Sequence, residues 1–161
     1  MSIELFLGFT GTAIALAAAI TTIWQGVSNR HHNRLSVTPI LQITRVTVLD
    51  EKANILLKNA GFGPAVICYI KFFVDGNAID PKLSRPTNEA VQKIGLNPPR
   101  YRLFEFRSQE SLAAGEEQSL ILSMNAIEDD KTLVDTQKAF DRLKIEIEYE
   151  SIYKEKYLLN N

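Results

Sequence analysis

The stretch LKIEIEYE, residues 143–150, decides the fold class of this chain. Apolar and charged residues alternate along its whole length, so every second side chain points to the same side of an extended strand. One face is therefore buried and the other faces water, as in an antiparallel sheet. The residues predicted to point inward are Leu143, Ile145, Ile147 and Tyr149.

Other strands follow from alternation and from a high content of β-branched residues. They are predicted within residues 39–50, 54–59, 65–76, 101–108, 119–125 and 155–160. Alternation in SLILSMN (119–125) predicts that Leu120, Leu122 and Met124 point inward. The segment 65–76 is apolar on both faces, which is typical of a central strand, and Asp75-Gly76-Asn77 after it predicts a hairpin turn.

Two stretches depart from the β pattern. Acidic residues at the start of 126–143 and Arg142 at its end predict one inserted α-helix, from about Lys131 to Arg142. The stretch 84–102 contains Pro98-Pro99, which cannot lie in a central strand, so it predicts a long loop with at most one helical turn near Glu89–Lys93.

NAGFGPAV (59–66) could be a phosphate-binding loop or a turn. A phosphate-binding loop leads into a helix whose N-terminus meets the anion. Here the chain continues as AVICYIKFFV, which predicts a strand, and no Lys-Ser/Thr follows the glycines. We therefore predict a structural turn formed by Asn59, Gly61, Gly63 and Pro64, in which the glycines supply positive φ.

The N-terminus carries a different signal, because Leu5 to Trp24 is 20 residues without a charge. As a helix it would rise about 30 Å, the thickness of a bilayer core. We predict a short external N-terminus (1–4), a transmembrane helix (5–26), a basic juxtamembrane linker (27–35) and a β domain (36–161). A cleaved signal peptide is an alternative, but it needs a positively charged start and this chain begins MSIE. A buried globular helix is the third possibility.

The charges that flank the predicted span indicate its orientation. Arg30 and Arg34 follow it, whereas only Glu4 precedes it, and basic residues stay preferentially on the cytoplasmic side. We therefore expect a single-pass protein of the inner (cytoplasmic) membrane with its N-terminus outside and its β domain in the cytosol. The single cysteine, Cys68, provides no disulfide framework and agrees with a cytosolic domain.

Small residues recur along the predicted span at helical spacing. In lipid, such a stripe lets helices approach closely and supports self-association. Alanine is also common in membrane helices that do not associate, so the pattern can arise without any role in self-association. The residues predicted to pack are Gly8, Gly11, Ala15 and Ala19.

The charge of the β domain argues against a DNA or long RNA partner. The chain has 18 basic and 19 acidic residues, and leaving out Arg30, Arg34 and Glu4 gives 16 and 18, a net charge of −2. Dedicated nucleic-acid binders are usually basic. The partners expected are membrane lipid, a second copy of the chain, and either an unidentified protein or a small anionic ligand.

Three stretches carry a family resemblance. LLKNAGFGPAVI (56–67) resembles the Asn-x-Gly-x-Gly-Pro-Ala signature of small bacterial proteins with one N-terminal span and an immunoglobulin-like β-sandwich. SLAAGEEQSLIL (111–122) and IEYESIYKEKY (147–157) are similar to the turn and the last hairpin of such domains. The resemblance implies that sandwich and supplies no catalytic residues. The acidic helix near Lys131 and the Lys154-Glu155 turn, where a glycine would be expected, depart from it.

Residue types that usually perform catalysis are scarce in the predicted β domain. Both histidines, His31 and His32, lie beside the predicted span, which removes histidine-based triads and most zinc sites from the domain. Cys68 is in phase with Val66, Ile70 and Phe72 and is predicted to be an inert core thiol. We predict no catalytic residue, no cofactor and no metal.

One ligand site is suggested by NPPRYRLFEFRS (97–108), where arginines alternate with aromatic residues. Such a combination can bind the phosphates and bases of a nucleotide. The alternative is a plain strand with a charged outer face. The residues predicted to bind a small anion are Arg100, Tyr101, Arg102 and Arg107.

Three functions fit these features. The first, which we favour, is a membrane-anchored, non-catalytic module that presents a β-sandwich to a partner in the cytosol. The second is an oligomeric membrane effector whose cytosolic domain senses a small anion such as a cyclic oligonucleotide, by architectural analogy with bacterial antiviral effectors. The third is a membrane-anchored enzyme, the least favoured because the predicted domain has no histidine.

Overall fold

The chain divides into two units in a computed structural model that describes residues 3–80, 85–107 and 109–161. The first unit is Met1–Ser36 and the second, the β unit, is Val37–Asn161. The first unit consists of one helix, α1 (Ile3–Leu35), which continues without interruption through the predicted juxtamembrane linker. Its stretch Leu7–Leu35 is long and apolar enough to cross a bilayer, judged by length and composition.

The β unit contains two antiparallel sheets, so the prediction of a mainly β, antiparallel domain is confirmed. The first sheet has the order β1 (Leu41–Val46), β2 (Lys52–Asn59), β7 (Glu117–Ala126) and β5 (Tyr101–Leu103). The second has the order β4 (Asn77–Ala78), β3 (Ala65–Val74), β8 (Leu143–Glu150) and β9 (Lys156–Asn160), and β6 (Ser111–Leu112) also pairs with β3.

The core is shared by the two sheets, and the inward face predicted for β8 is confirmed. Leu143, Ile145 and Ile147 are fully buried, and Tyr149 is 7% exposed. They belong to one hydrophobic cluster with residues of the other sheet, among them Ile55 of β2. The alternation therefore works as predicted, because one face of β8 packs on the core and the other faces water.

Two β-bulges change the predicted faces of β7 and β3. On β7, Leu120 is an extra residue in the pairing with β2, so Leu120 and Ile121 are both buried and Met124 is 56% exposed. The prediction that Leu122 and Met124 point inward was therefore wrong. A bulge shifts the alternation by one residue, and period-two reasoning cannot place it.

The bulge on β3 lies at Cys68, which the pairing with β8 skips. Before it, Ala65 and Ile67 are buried, and after it Phe72 and Val74 are buried. Cys68 is the extra residue at this bulge and is partly exposed. The prediction that it is a core thiol was wrong for the same reason as on β7.

In the described part of the β unit, two α-helices are inserted where one was predicted. The predicted helix is α3 (Asp130–Asp141), and Asp129 caps it by accepting a hydrogen bond from Thr132 N at 2.7 Å. The second, α2 (Pro86–Lys93), lies where the sequence predicted a long loop. Ala90 and Val91 are completely buried, so tertiary packing stabilises a helix whose local pattern is weak.

The hairpin between β3 and β4 has the predicted turn. Asp75 and Gly76 have φ of 51° and 82°, the left-handed conformations that a two-residue turn of this kind requires. Arg142 Nε donates to Asp75 Oδ1 at 2.9 Å, and Arg142 Nη1 donates to the carbonyl of Ile94 at 3.2 Å. The hydrogen bond with the guanidinium lowers the pKa of the Asp75 carboxyl.

Candidate functional site

The loop 60–64 is held in place by Asn59, whose side chain is fully buried. Its Oδ1 accepts hydrogen bonds from the backbone N–H groups of Ile40, at 3.2 Å, and Gly61, at 3.0 Å. Its Nδ2 donates to the carbonyls of Gly63, at 2.8 Å, and Leu112, at 3.0 Å. The amide therefore uses both donors and two acceptor positions, and it joins the loop to β6 and to the segment before β1.

The two glycines of this loop permit a close backbone approach. A Cβ atom on Gly61 would lie 2.4 Å from Ile40 N, and one on Gly63 would lie 1.8 Å from the carbonyl oxygen of Val37. Neither glycine has positive φ, so the predicted reason for them was wrong. The glycines are required because any side chain would collide with the segment Val37–Ile40.

The turn itself lies where it was predicted. Asn59 ends β2, Gly61 and Gly63 lie in the connection, and Pro64 directly precedes β3. The chain leaves the connection as a strand, so no helix N-terminus points at the loop. The geometry therefore fits a structural clamp on residues 37–40.

This clamp and two further loops lie at one end of the β unit, which we call the entry end. We define it as residues 37–40, 60–64, 113–116 and 151–155. Strand pairing brings these segments to the same end, because Leu41 pairs with Asn59, Lys58 with Glu117, and Val66 with Glu150. The β unit begins at Val37, so the chain enters it at this end.

The entry end displays large apolar side chains. Phe62, between the two clamped glycines, is 80% exposed, and Ile152 and Tyr153 at the tip of the β8–β9 hairpin are 51% and 45% exposed. This phenylalanine lies in a loop that buried hydrogen bonds of Asn59 hold in place. Sequence analysis missed it, although a phenylalanine in a glycine-rich turn was a visible signal.

The hairpin tip is ordered by Ser151. Its hydroxyl accepts hydrogen bonds from the N–H groups of Tyr153, at 3.2 Å, and Glu155, at 3.3 Å. Lys154 has a φ of 64°, a left-handed conformation that glycine adopts most readily. Its ammonium group contacts Glu150, which raises the pKa of the lysine. Lys154 therefore adopts the turn conformation and also forms an ion pair with Glu150.

The four residues predicted to bind an anion do not meet in one cavity. Tyr101 borders a cavity of about 540 Å³, together with Arg85 and Glu105. Arg100 borders a different cavity of about 200 Å³ that Tyr101 also reaches. Burial raises the pKa of the Tyr101 phenol, so this residue presents a neutral hydroxyl.

The other two arginines lie elsewhere. Arg107 borders a third cavity, of about 170 Å³, beside the edge-to-face pair of Phe104 and Phe106. Arg102 points outward from β5 and is exposed. The predicted strand 101–108 is shorter than expected, because β5 ends at Leu103. The alternation of arginine and aromatic residues therefore does not produce one cationic pocket.

Glu105 contributes to the chemistry of the cavity of about 540 Å³. Its carboxylate accepts a hydrogen bond from Thr87 N at 3.3 Å, in the first turn of α2. Among the described residues that line this cavity, one is basic, Arg85, and one is acidic, Glu105, and these two charges do not favour an anion. Among the described residues, no group of three His, Cys, Asp or Glu side chains is placed to hold a metal ion.

The α1 helix exposes large apolar side chains, and none of the most apolar part of its Leu7–Leu35 stretch is buried. Phe9 is 78% exposed, Ile14 70% and Trp24 70%. A soluble protein rarely leaves such an apolar surface uncovered.

The threonine hydroxyl groups within α1 are satisfied by the helix itself. Thr12, Thr21 and Thr22 each donate to the carbonyl four residues earlier, at 2.8 Å, and Thr10 donates to the carbonyl of Leu7 at 3.1 Å. Polar groups in a bilayer core must find such internal partners. The four threonines are therefore compatible with lipid.

Comparison with known proteins adds no relative. No protein-family model matches this chain, and no curated protein matches it in sequence.

Proposed function

We propose that this protein is a membrane-anchored, non-catalytic binding module that presents its β unit to the cytosol. The observation that carries the proposal is the uncovered apolar surface of α1, which runs directly into a β unit with a core of its own. A bilayer would cover the helix, and the 20 uncharged residues from Leu5 to Trp24 match its hydrocarbon thickness. Arg30 and Arg34 favour the cytosolic side for the β unit.

We also propose that the β unit is an immunoglobulin-like sandwich. Its two sheets have the orders β1-β2-β7-β5 and β4-β3-β8-β9. In chain order these correspond to strands A, B, E and D of one immunoglobulin sheet and to C′, C, F and G of the other. On this reading α2 and α3 are insertions between C′ and D and between E and F.

Orientation can be tested by reporters fused after Asn161. We expect a reporter that is active only in the cytosol to be active at this position and a periplasmic reporter to be silent. The reason is that Arg30 and Arg34 keep the end of the span to which they belong on the cytosolic side. The same reporters on an Arg30→Glu, Arg34→Glu variant provide the control, since loss of the basic residues should weaken the preference. Activity of only the periplasmic reporter on the parent protein would contradict the proposed orientation.

The oligomeric effector is the second candidate, and the small-residue stripe of α1 favours it. At about 100° per residue, Gly8, Gly11, Ala15 and Ala19 fall within a sector of about 80°. The large exposed side chains, such as Phe9 and Trp24, lie outside that sector. A Cβ atom on Gly8 or Gly11 would meet nothing within 4 Å, so this face is open to a second copy.

Self-association predicts a position-specific effect of leucine in α1. Gly11→Leu with Ala15→Leu should separate the helices and reduce crosslinked oligomers in membranes several-fold, because close packing in lipid depends on small residues. Ala13→Leu with Ala17→Leu is the matched control, since it adds similar side chains about 200° away around the helix. Equal amounts of crosslinked oligomers in both variants would contradict packing through Gly11 and Ala15. Survival of the cellular function without oligomers would favour the anchor over the effector.

A further inference from the structure

We propose that the entry end of the β unit docks on the lipid surface of the membrane that α1 crosses, with Phe62 and Ile152 seated at the headgroup layer. This inference rests on the proposed membrane anchor and adds a second, peripheral contact to it. It assigns a lipid surface as the partner of the apolar residues at this end.

The first support is the fixed display of Phe62. Its N–H donates to the carbonyl of Thr38 at 3.1 Å, and both neighbouring glycines press against residues 37–40. The loop therefore cannot fold back to bury the ring without breaking the Asn59 hydrogen bonds. An aromatic side chain held 80% exposed loses little conformational entropy when a lipid surface covers it.

The second support is the hairpin tip at the same end. Strand β3 begins beside the end of β8, since Val66 pairs with Glu150, so loops 60–64 and 151–155 both extend beyond that pair. Ile152 and Tyr153 are therefore presented at the same end as Phe62, and Tyr is a residue type enriched at membrane interfaces. Two loops with three exposed apolar side chains provide more contact than one isolated residue.

The third support is the length of α1 and the point where it ends. Its 33 residues would rise about 50 Å, whereas a bilayer with headgroups is about 40–45 Å thick. A tilt of roughly 30°, within the range seen for membrane helices, places Leu35 in the headgroup layer. Val37, the first residue of the β unit, is only two residues further and belongs to the entry end.

The fourth support is the distribution of charge over the β unit. Asp50, Glu51, Glu128 and Asp129 lie in exposed loops at the opposite end, where β1 and β7 end. The entry end itself contains two carboxylates, Glu116 and Glu155, and one basic residue, Lys154, which contacts Glu150. An anionic leaflet therefore repels the opposite end more strongly than the entry end.

Lipid contact can be measured with tryptophan in the full-length protein, because Trp24 is the only native tryptophan. The two variants to compare are Trp24→Phe with Phe62→Trp, and Trp24→Phe with Val48→Trp. Val48 is the matched control, as an exposed apolar residue (48%) in the loop between β1 and β2 at the opposite end. Each protein is reconstituted in phosphatidylcholine–phosphatidylglycerol vesicles whose lipids carry bromine near the headgroup.

We expect the indole at position 62 to emit at shorter wavelength and to lose several-fold more fluorescence to brominated lipid than the indole at position 48. Equal and weak quenching at both positions, in variants with unchanged melting temperatures, would overturn the inference and leave a protein partner as the occupant. Native Trp24 in the parent protein tests the anchor separately. Quenching of Trp24 without quenching at position 62 rejects docking alone, whereas an unquenched Trp24 rejects the anchor.

Discussion

Replacing Asn59 with alanine should cost about 3 kcal/mol or more of the free energy of unfolding of the β unit. The change removes four hydrogen bonds and leaves the N–H groups of Ile40 and Gly61 and the carbonyls of Gly63 and Leu112 without their partner. Unsatisfied buried backbone groups are costly, and typical domains have only about 5–15 kcal/mol of stability. Denaturant unfolding of residues 37–161 measures the loss.

Two further variants separate hydrogen bonding from volume. Asn59→Asp keeps the size and the acceptor positions but places a carboxylate against two carbonyl oxygens, so it should be at least as destabilising as alanine. Asn125→Ala, at an exposed position on β7, is the control and should change the stability by less than about 0.5 kcal/mol. Equal stability of the Asn59→Ala and Asn125→Ala variants would contradict the role of Asn59 as the clamp.

Replacing Gly63 with alanine should destabilise the β unit by about 2–3 kcal/mol. The added methyl group would lie 1.8 Å from the carbonyl oxygen of Val37 and 2.5 Å from its carbon, so backbone must move. The movement would stretch the hydrogen bonds from Ala60 N to Ile40 O, now 2.8 Å, and from Phe62 N to Thr38 O, now 3.1 Å. In this variant, residues 37–40 should therefore also become sensitive to limited proteolysis.

Ala60→Ser is the matched control for this clash, since it adds one heavy atom at an exposed position of the same loop. We expect its unfolding midpoint and its proteolysis pattern to match those of the parent. A Gly63→Ala protein with the parent's midpoint and an intact 37–40 segment would show that the close approach at Val37 is not required for the fold.

Local pattern was sufficient wherever a residue's environment depends on its own strand or helix. The buried face of β8, the turn at Asp75-Gly76 and the capped helix α3 all have short-range causes, namely alternation, left-handed turn conformations and an Asp N-cap. The uncharged run from Leu5 to Trp24 likewise predicted an apolar helix. It did so because length and hydrophobicity are properties of the sequence alone.

Local pattern was insufficient where distant segments decide the environment. Helix α2 depends on the burial of Ala90 and Val91, and the bulges at Leu120 and Cys68 depend on which strand lies alongside. The predicted anion-binding residues alternate correctly in sequence. Because β5 ends at Leu103, however, the chain places Arg100 and Arg107 at separate cavities.

The sequence by itself determined that this protein has an apolar helix followed by an antiparallel β unit, because both features arise from periodicity and composition within short segments. The tertiary structure decided why Gly61 and Gly63 are glycines and where Phe62 is displayed. Those depend on the backbone of residues 37–40, more than 20 positions away along the chain, and on hydrogen bonds from Asn59 that exist only once β2, β6 and that segment have met. Periodicity records which face of a strand is buried, but contacts between distant backbones leave no period in the sequence.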